Sequence, residues 1–165
     1  MAIAFATSVC AIAAATEPAQ ELGEREKSFV DQIAANDLAE IELSKLIRTK
    51  TASAAVRRLA RTILTEDTAN YEQVFKLCLR RQYAIAPQLD ERHRQLLREV
   101  RAARSSRALG RKYIDTLLVD DSHMDGLLVA LAATKPLPDD LERFASDSAQ
   151  MIARHERMAR ELASK

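Results

Sequence analysis

The chain has 165 residues, enough for one domain with a substantial core, and 47% of them are hydrophobic. Three glycines, four prolines and no tryptophan, in a sequence rich in Ala, Leu, Arg and Glu, point to helices and away from a sandwich or barrel. With 25 basic and 24 acidic residues the net charge is +1, which gives no overall footprint for nucleic acid, and the sequence holds no P-loop, GxGxxG, GxSxG or CxxC motif.

Met1–Ala15 carries no charge and is mostly apolar. It is too short to span a bilayer and reads as a signal peptide, residues 1–15, with Ala13-Ala14-Ala15 as small residues before cleavage at Thr16. A basic region ahead of it is missing. Lipid attachment at Cys10 is disfavoured because Thr7-Ser8-Val9 makes a poor lipobox. The mature chain is therefore expected in the periplasm or cell envelope, with no transmembrane anchor. Cys78 is then the only cysteine, which rules out an internal disulfide, and beside Phe75 on a helix face it reads as a small buried hydrophobe.

Residues 16–27 lack apolar periodicity and read as a flexible lead-in; residues 28–163 read as the folded domain. Ser28-Phe29-Val30-Asp31 has the form of a capping box and predicts the first long helix. Its seam is Phe29, Ile33, Asn36, Glu40, Leu43 and Ile47. A short link capped by Thr51 or Ser53 predicts an antiparallel second helix to about Arg81, with the seam Val56, Ala60, Ile63, Asp67, Asn70, Val74 and Leu77. Gln82–Pro87 breaks the pattern. Gln88–Ala103 resumes it as a short charged helix, with His93 expected on the solvent side between Arg92 and Arg94. Ser105 or Ser106 caps the third long helix, whose heptad line runs Leu109, Tyr113, Thr116, Asp120, His123, Leu127 and Ala130. After Pro136 and Pro138, Asp139 or Asp140 caps the fourth, with the seam Leu141, Phe144, Ser148, Met151, His155, Met158 and Leu162. The architecture expected is all-α: a ferritin-like four-helix bundle with a long, partly helical crossover between helices two and three.

Every long helix carries a polar residue of ligand type in its seam: Glu40, Asp67, Asp120 with His123, and His155. Facing side chains in a four-helix core are where metal sites are built, and carboxylates with imidazoles suit iron, manganese, zinc or copper. Only Asp120-x-x-His123 approaches the Glu-x-x-His element of a di-iron site, because Ile152 stands where His155 would need its acidic partner. The same residues also suit a buried hydrogen-bonded network without metal, and a lone histidine in a seam is more often of that kind.

Phe29-Val30, Leu38-Ala39-Glu40-Ile41-Glu42-Leu43, Leu59-Ala60 ahead of Glu66-Asp67, Pro87-x-Leu89-Asp90, the spacing of Tyr113 to His123, and His155 together resemble the DUF4142 family. The resemblance covers Ser28 to about Ala163. It implies export and a ferritin-like bundle, and assigns Glu40, His123 and His155 to characteristic family positions. Where the family usually has Asp-His in the second helix, this chain has Glu66-Asp67, so a carboxylate replaces an imidazole. Three functional readings are compatible with these residues. One is a non-catalytic or poorly catalytic envelope protein, connected with stress, that binds a transition metal. Another is a structural or protein-interaction bundle, and the third a redox metalloenzyme. Protein partners and oligomeric state are unspecified.

Overall fold

A computed structural model describes residues 21–51, 53–85, 88–133 and 136–164. The expected signal peptide, Cys10, residues 16–20 of the expected lead-in and Pro87 lie outside these residues. Among the described residues the chain is all-α: α1 Glu24–Lys50, α2 Ala54–Arg80, α3 Glu91–Arg101, α4 Ser106–Ala132 and α5 Asp139–Ala163. The long helix α1 packs on α2 and α4, and α5 packs on α4 and α2; the short α3 lies against α1 and α4. No helix among the described residues is long and apolar enough to cross a membrane.

The helix starts follow local chemistry. Ser53 Oγ accepts from the Val56 N–H at 3.3 Å, and Ser105 Oγ accepts from the Ala108 N–H at 3.1 Å. Two starts differ from expectation. Helix α1 begins at Glu24 because Glu26 accepts from the Gly23 N–H at 2.7 Å, and Leu22 just before it is buried. The folded part thus reaches into what the sequence suggests is lead-in, and Ser28 is a helical residue whose Oγ accepts from Gln32. Pro138, with neither Asp139 nor Asp140, stands at the α5 N-cap. Its ring presets the φ of a helix start, and Asp140 is drawn instead to Arg80 and Arg81.

Helix α2 ends in a Schellman turn: the Tyr83 N–H donates to Cys78 O at 2.9 Å and the Gln82 N–H to Leu79 O at 3.2 Å. Gln82 occupies the left-handed position at φ 54° without being glycine. A Gln82→Gly change should therefore raise stability by up to about 1 kcal/mol, read as a higher urea midpoint at unchanged m-value.

The core is in two parts. One apolar cluster contains Phe29, Val30, Leu77, Met124, Leu131, Leu141 and Phe144; the other contains Leu43, Ile47, Val56, Ile63, Leu109, Leu117 and Ala159. Apolar burial in both drives folding, at roughly 1.5–3 kcal/mol for each large side chain. Cys78 belongs to the first cluster, 1% exposed, and burial pushes its thiol up to about 11, so it behaves as a hydrophobe. Between the clusters, all four long helices turn polar side chains inward.

Candidate metal centre in the polar layer

Helix α1 contributes Asn36, Asp37, Glu40 and Ser44 to this layer, α2 contributes Asp67 and Asn70, α4 contributes Thr116, Asp120 and Asp121, and α5 contributes Ser148 and His155; all are buried. Burying so many polar groups requires partners for them. One chain of hydrogen bonds supplies several: Ser148 Oγ donates to Asn70 Oδ1 at 3.0 Å, and Asn70 Nδ2 donates to Asp37 Oδ2 at 2.9 Å. Asn36 Nδ2 donates to Glu40 Oε1 at 3.2 Å, and Tyr113 OH and Ser44 Oγ lie 2.9 Å apart. The remainder stay short of partners. Neither oxygen of Asp121 has a hydrogen bond among the described residues, nor do Asp67 Oδ2 and Asp120 Oδ2.

His155 sits among carboxylates. Its Nε2 is 2.9 Å from Glu66 Oε2, and its Nδ1 is 3.7 Å from Asp67 Oδ1. Glu66 is partly exposed and is also held by Arg154 at 3.2 Å. Burial holds the imidazole below its ordinary value, with Glu66 pulling the other way, so His155 favours the neutral form.

The carboxyls move in the opposite direction. Burial, then the Asp120 charge, pushes Glu40 up to about 8, while Asp67 and Asn36 pull it back. Burial, then Glu40, pushes Asp121 up to about 10. Asp67 is raised well above the carboxylate range by burial and by Glu40 and Asp37; Asp37 is raised by burial and opposed by its bond from Asn70. Without a cation, this layer therefore holds protons at neutral pH.

Glu40, Asp121 and His155 each offer a ligand atom, and these atoms lie within 4.8 Å of one another. One ion with bonds of about 2.1 Å would touch all three after a small inward shift. Asp121's unpaired oxygens are the part of this set that the protein itself leaves unsatisfied.

The five candidates named by the sequence do not all meet here. Glu40, Asp67, Asp120 and His155 are in the layer, but Asp120 is engaged by the guanidinium of Arg92 from α3. That pairing offsets the burial that raises its carboxyl. His123 is exposed and outside the layer. The buried stripe of α4 beyond Tyr113 runs Ile114, Thr116, Leu117, Asp120, Asp121, Met124, Leu128 and Leu131. From Met124 onward it departs by one residue, about 100° of rotation, from the heptad line through His123, Leu127 and Ala130. The bulky apolar side chains at Leu117, Met124, Leu128 and Leu131 carry the true register, and that register selects Asp121. His93 also departs from the expected solvent side. It is only 3% exposed, because His93, Leu97 and Val100 form the inner face of α3. Its Nε2 is 3.0 Å from Arg92 Nη1, and its Nδ1 is 2.8 Å from Asp90 Oδ1. Glu66 and Arg92 have no seam position, so periodicity offers no sign of either.

The solved structures include one of the same shape. The crystal structure of a DUF305 fragment from Deinococcus radiodurans superposes with a TM-score of 0.76 over 87% of this chain and 98% of that one, at 12% identity. At that identity the likeness shows a shared fold alone. No curated protein matches the sequence at a significant level. The family model described as "Domain of unknown function (DUF4142)" matches residues 11–162. Because that match takes in all five helices, the chain belongs to the DUF4142 family.

Proposed function

We propose that this chain is an exported, ferritin-like four-helix-bundle protein of the cell envelope that binds one transition-metal ion in its polar layer without catalysing a reaction. The observation that carries this reading is the convergence of Glu40, Asp121 and His155, each about 1% exposed, on one point. An ion can reach such a site through small openings, whereas an organic substrate cannot, which favours binding over turnover. Two carboxylates and one imidazole suit iron, manganese or zinc better than cuprous copper. With Nε2–H donated to Glu66, Nδ1 of His155 is the nitrogen left for a ligand, and Glu66 is the residue that orients the ring. Asp67 stands beside the site as a further oxygen donor.

A second reading has its own support: the raised carboxyls describe a layer neutralised by protons, which is a buried structural network with no ion. Elemental analysis separates the two. Protein purified without a histidine tag, loaded in turn with iron, manganese, zinc and copper and then gel-filtered, should retain about one ion per chain of at least one metal. His155→Ala should lower that retention by at least about tenfold, in line with the loss of a ligand, while His123→Ala should leave it unchanged. Absence of stoichiometric metal in every case defeats the metal reading and leaves the network.

A further inference from the structure

The near-zero net charge conceals a strong separation of charge along the molecule. The end of α1, the starts of α2 and α4 and the last turns of α5 share one apolar cluster, through Ile47, Val56, Leu109 and Ala159, and so form one end of the molecule. Exposed cations gather there from every helix. Arg48 and Lys50 close α1, Arg58 and Arg61 lie on the first turns of α2, and Arg101 ends α3. Arg104, Arg107 and Arg111 follow at the start of α4, and Arg157 faces out from α5. None of these makes an ion pair with another described residue. Acidic residues are few at this end, and two of them, Glu99 and Glu156, are already paired with Lys112 and Arg160. At the opposite end the first turns of α1 and α5 hold Glu24 and Glu26, and Asp139, Asp140 and Glu142, and cations there are paired with them, Lys27 with Glu24 and Arg80 and Arg81 with Asp140. The first turns of α2 and α4 hold no acid at all.

A cavity of about 470 Å³ opens within the basic end. Its lining includes Arg107, Arg111, Ser53 and Ser105 together with apolar Val56, Ile114 and Leu162. A cationic, hydroxyl-bearing lining beside an apolar wall fits an amphiphile whose head is anionic. Among the described residues, Tyr113 is the only aromatic in this half and it is fully buried, so the surface has no platform on which nucleobases could stack. Eight of the nine unpaired cations are arginines, whose planar forks suit phosphate oxygens.

We infer that this end docks on an anionic phospholipid surface, with the Arg107–Arg111 cavity receiving a phosphorylated head group. The contact is electrostatic and peripheral, each arginine adding to attraction by the negative leaflet. It is independent of the metal site, which lies half a helix away.

Co-sedimentation of the full chain tests it. Vesicles of phosphatidylglycerol mixed with phosphatidylcholine should bind the protein, vesicles of phosphatidylcholine alone should not, and added salt should weaken binding. The triple variant Arg104→Glu, Arg107→Glu, Arg111→Glu should bind the anionic vesicles at least about tenfold more weakly. Because acids at a helix start favour the helix, this variant should keep the wild-type circular dichroism and thermal midpoint, so its failure to bind cannot be attributed to unfolding. A control at the other end, Lys76→Glu with Arg80→Glu, should bind as the wild type does. Equal binding to neutral vesicles, no binding to anionic ones, full binding by the triple variant, or displacement of the vesicles by an equal charge of duplex DNA would each overturn the assignment.

Discussion

Changing Asp121 to Asn should make the metal-free protein more stable and deprive it of metal. Both carboxylate oxygens of Asp121 are buried without a hydrogen bond, and the group is pushed up to about 10 by burial and by Glu40. Below that value the folded protein holds a proton that the unfolded chain releases at the ordinary carboxylate range, so at pH 7.5 folding works against several pH units of this mismatch. Each unit is worth about 1.4 kcal/mol. Asparagine keeps the shape and removes the ionisation, although its amide inherits the same shortage of partners. The expected net gain in the metal-free protein is about 2 kcal/mol in urea unfolding at pH 7.5, with metal retention reduced at least about tenfold. Such a residue sacrifices stability for a site, as functional groups in strained surroundings commonly do. The two readings of the layer part here. If Asp121 serves as the protonated donor of a structural network, the Asp121→Asn change should instead destabilise by about 1–3 kcal/mol. If the variant gains stability and still retains metal, Asp121 is not a ligand.

Much of this architecture is legible in the sequence. The predicted seams of α1 and α2 are buried at every position; α1 buries a second line as well, Val30, Ala34, Asp37, Ile41 and Ser44, because it packs on α2, α3 and α4 at once. The fourth seam holds as far as His155 and loosens at Met158 and Leu162, where the helix nears the end of the molecule. The heptad line of α4 fails in its second half for an identifiable reason. Thr116 and Leu117 are adjacent, and so are His123 and Met124, Leu127 and Leu128, and Ala130 and Leu131; a strict heptad follows the first of each pair, and the apolar volumes follow the second. A register that keeps a histidine inside places His123 in the core and leaves Asp121 out. Burial of the larger apolar side chains wins, as its energy requires. What periodicity does not encode is the contact between helices at unlike depths. The reach of Arg92 from α3 to Asp120, and of Glu66 to His155, depends on how α3 and α5 sit beside their neighbours. The charge separation is hidden differently: the totals cancel, and only the folding of five helix ends onto two poles reveals it.

The stability of the metal-free protein should fall as pH rises above neutrality, and metal should remove that fall. Glu40 goes from the ordinary 4.5 to about 8 on folding, and Asp121 from 3.8 to about 10. For an acid whose folded value is the higher one, the folded state binds the extra proton, so its contribution favours folding most at low pH. That contribution is lost from the unfolded value up to the folded one. Between pH 6.5 and 8 both groups act, and with up to two extra protons in the folded state the slope approaches about 2 kcal/mol per pH unit. His155 and His93 are lowered by burial and have the opposite sense: they cost stability only as pH falls below the ordinary histidine value. The histidines oppose the fall only below about pH 6.5, so above it the loss is unopposed, with the thermal midpoint dropping by roughly 4–8 °C between pH 7 and pH 8. A bound cation takes the place of the protons. Saturation with the preferred metal should flatten the profile above pH 7, and uptake at pH 7 should release about one to two protons per ion, detectable with an indicator in weak buffer. A midpoint that is level from pH 6.5 to 8.5 without metal would mean that the layer is not the reservoir of displaced protons described above. Proton release without stabilisation would place the ion elsewhere on the protein.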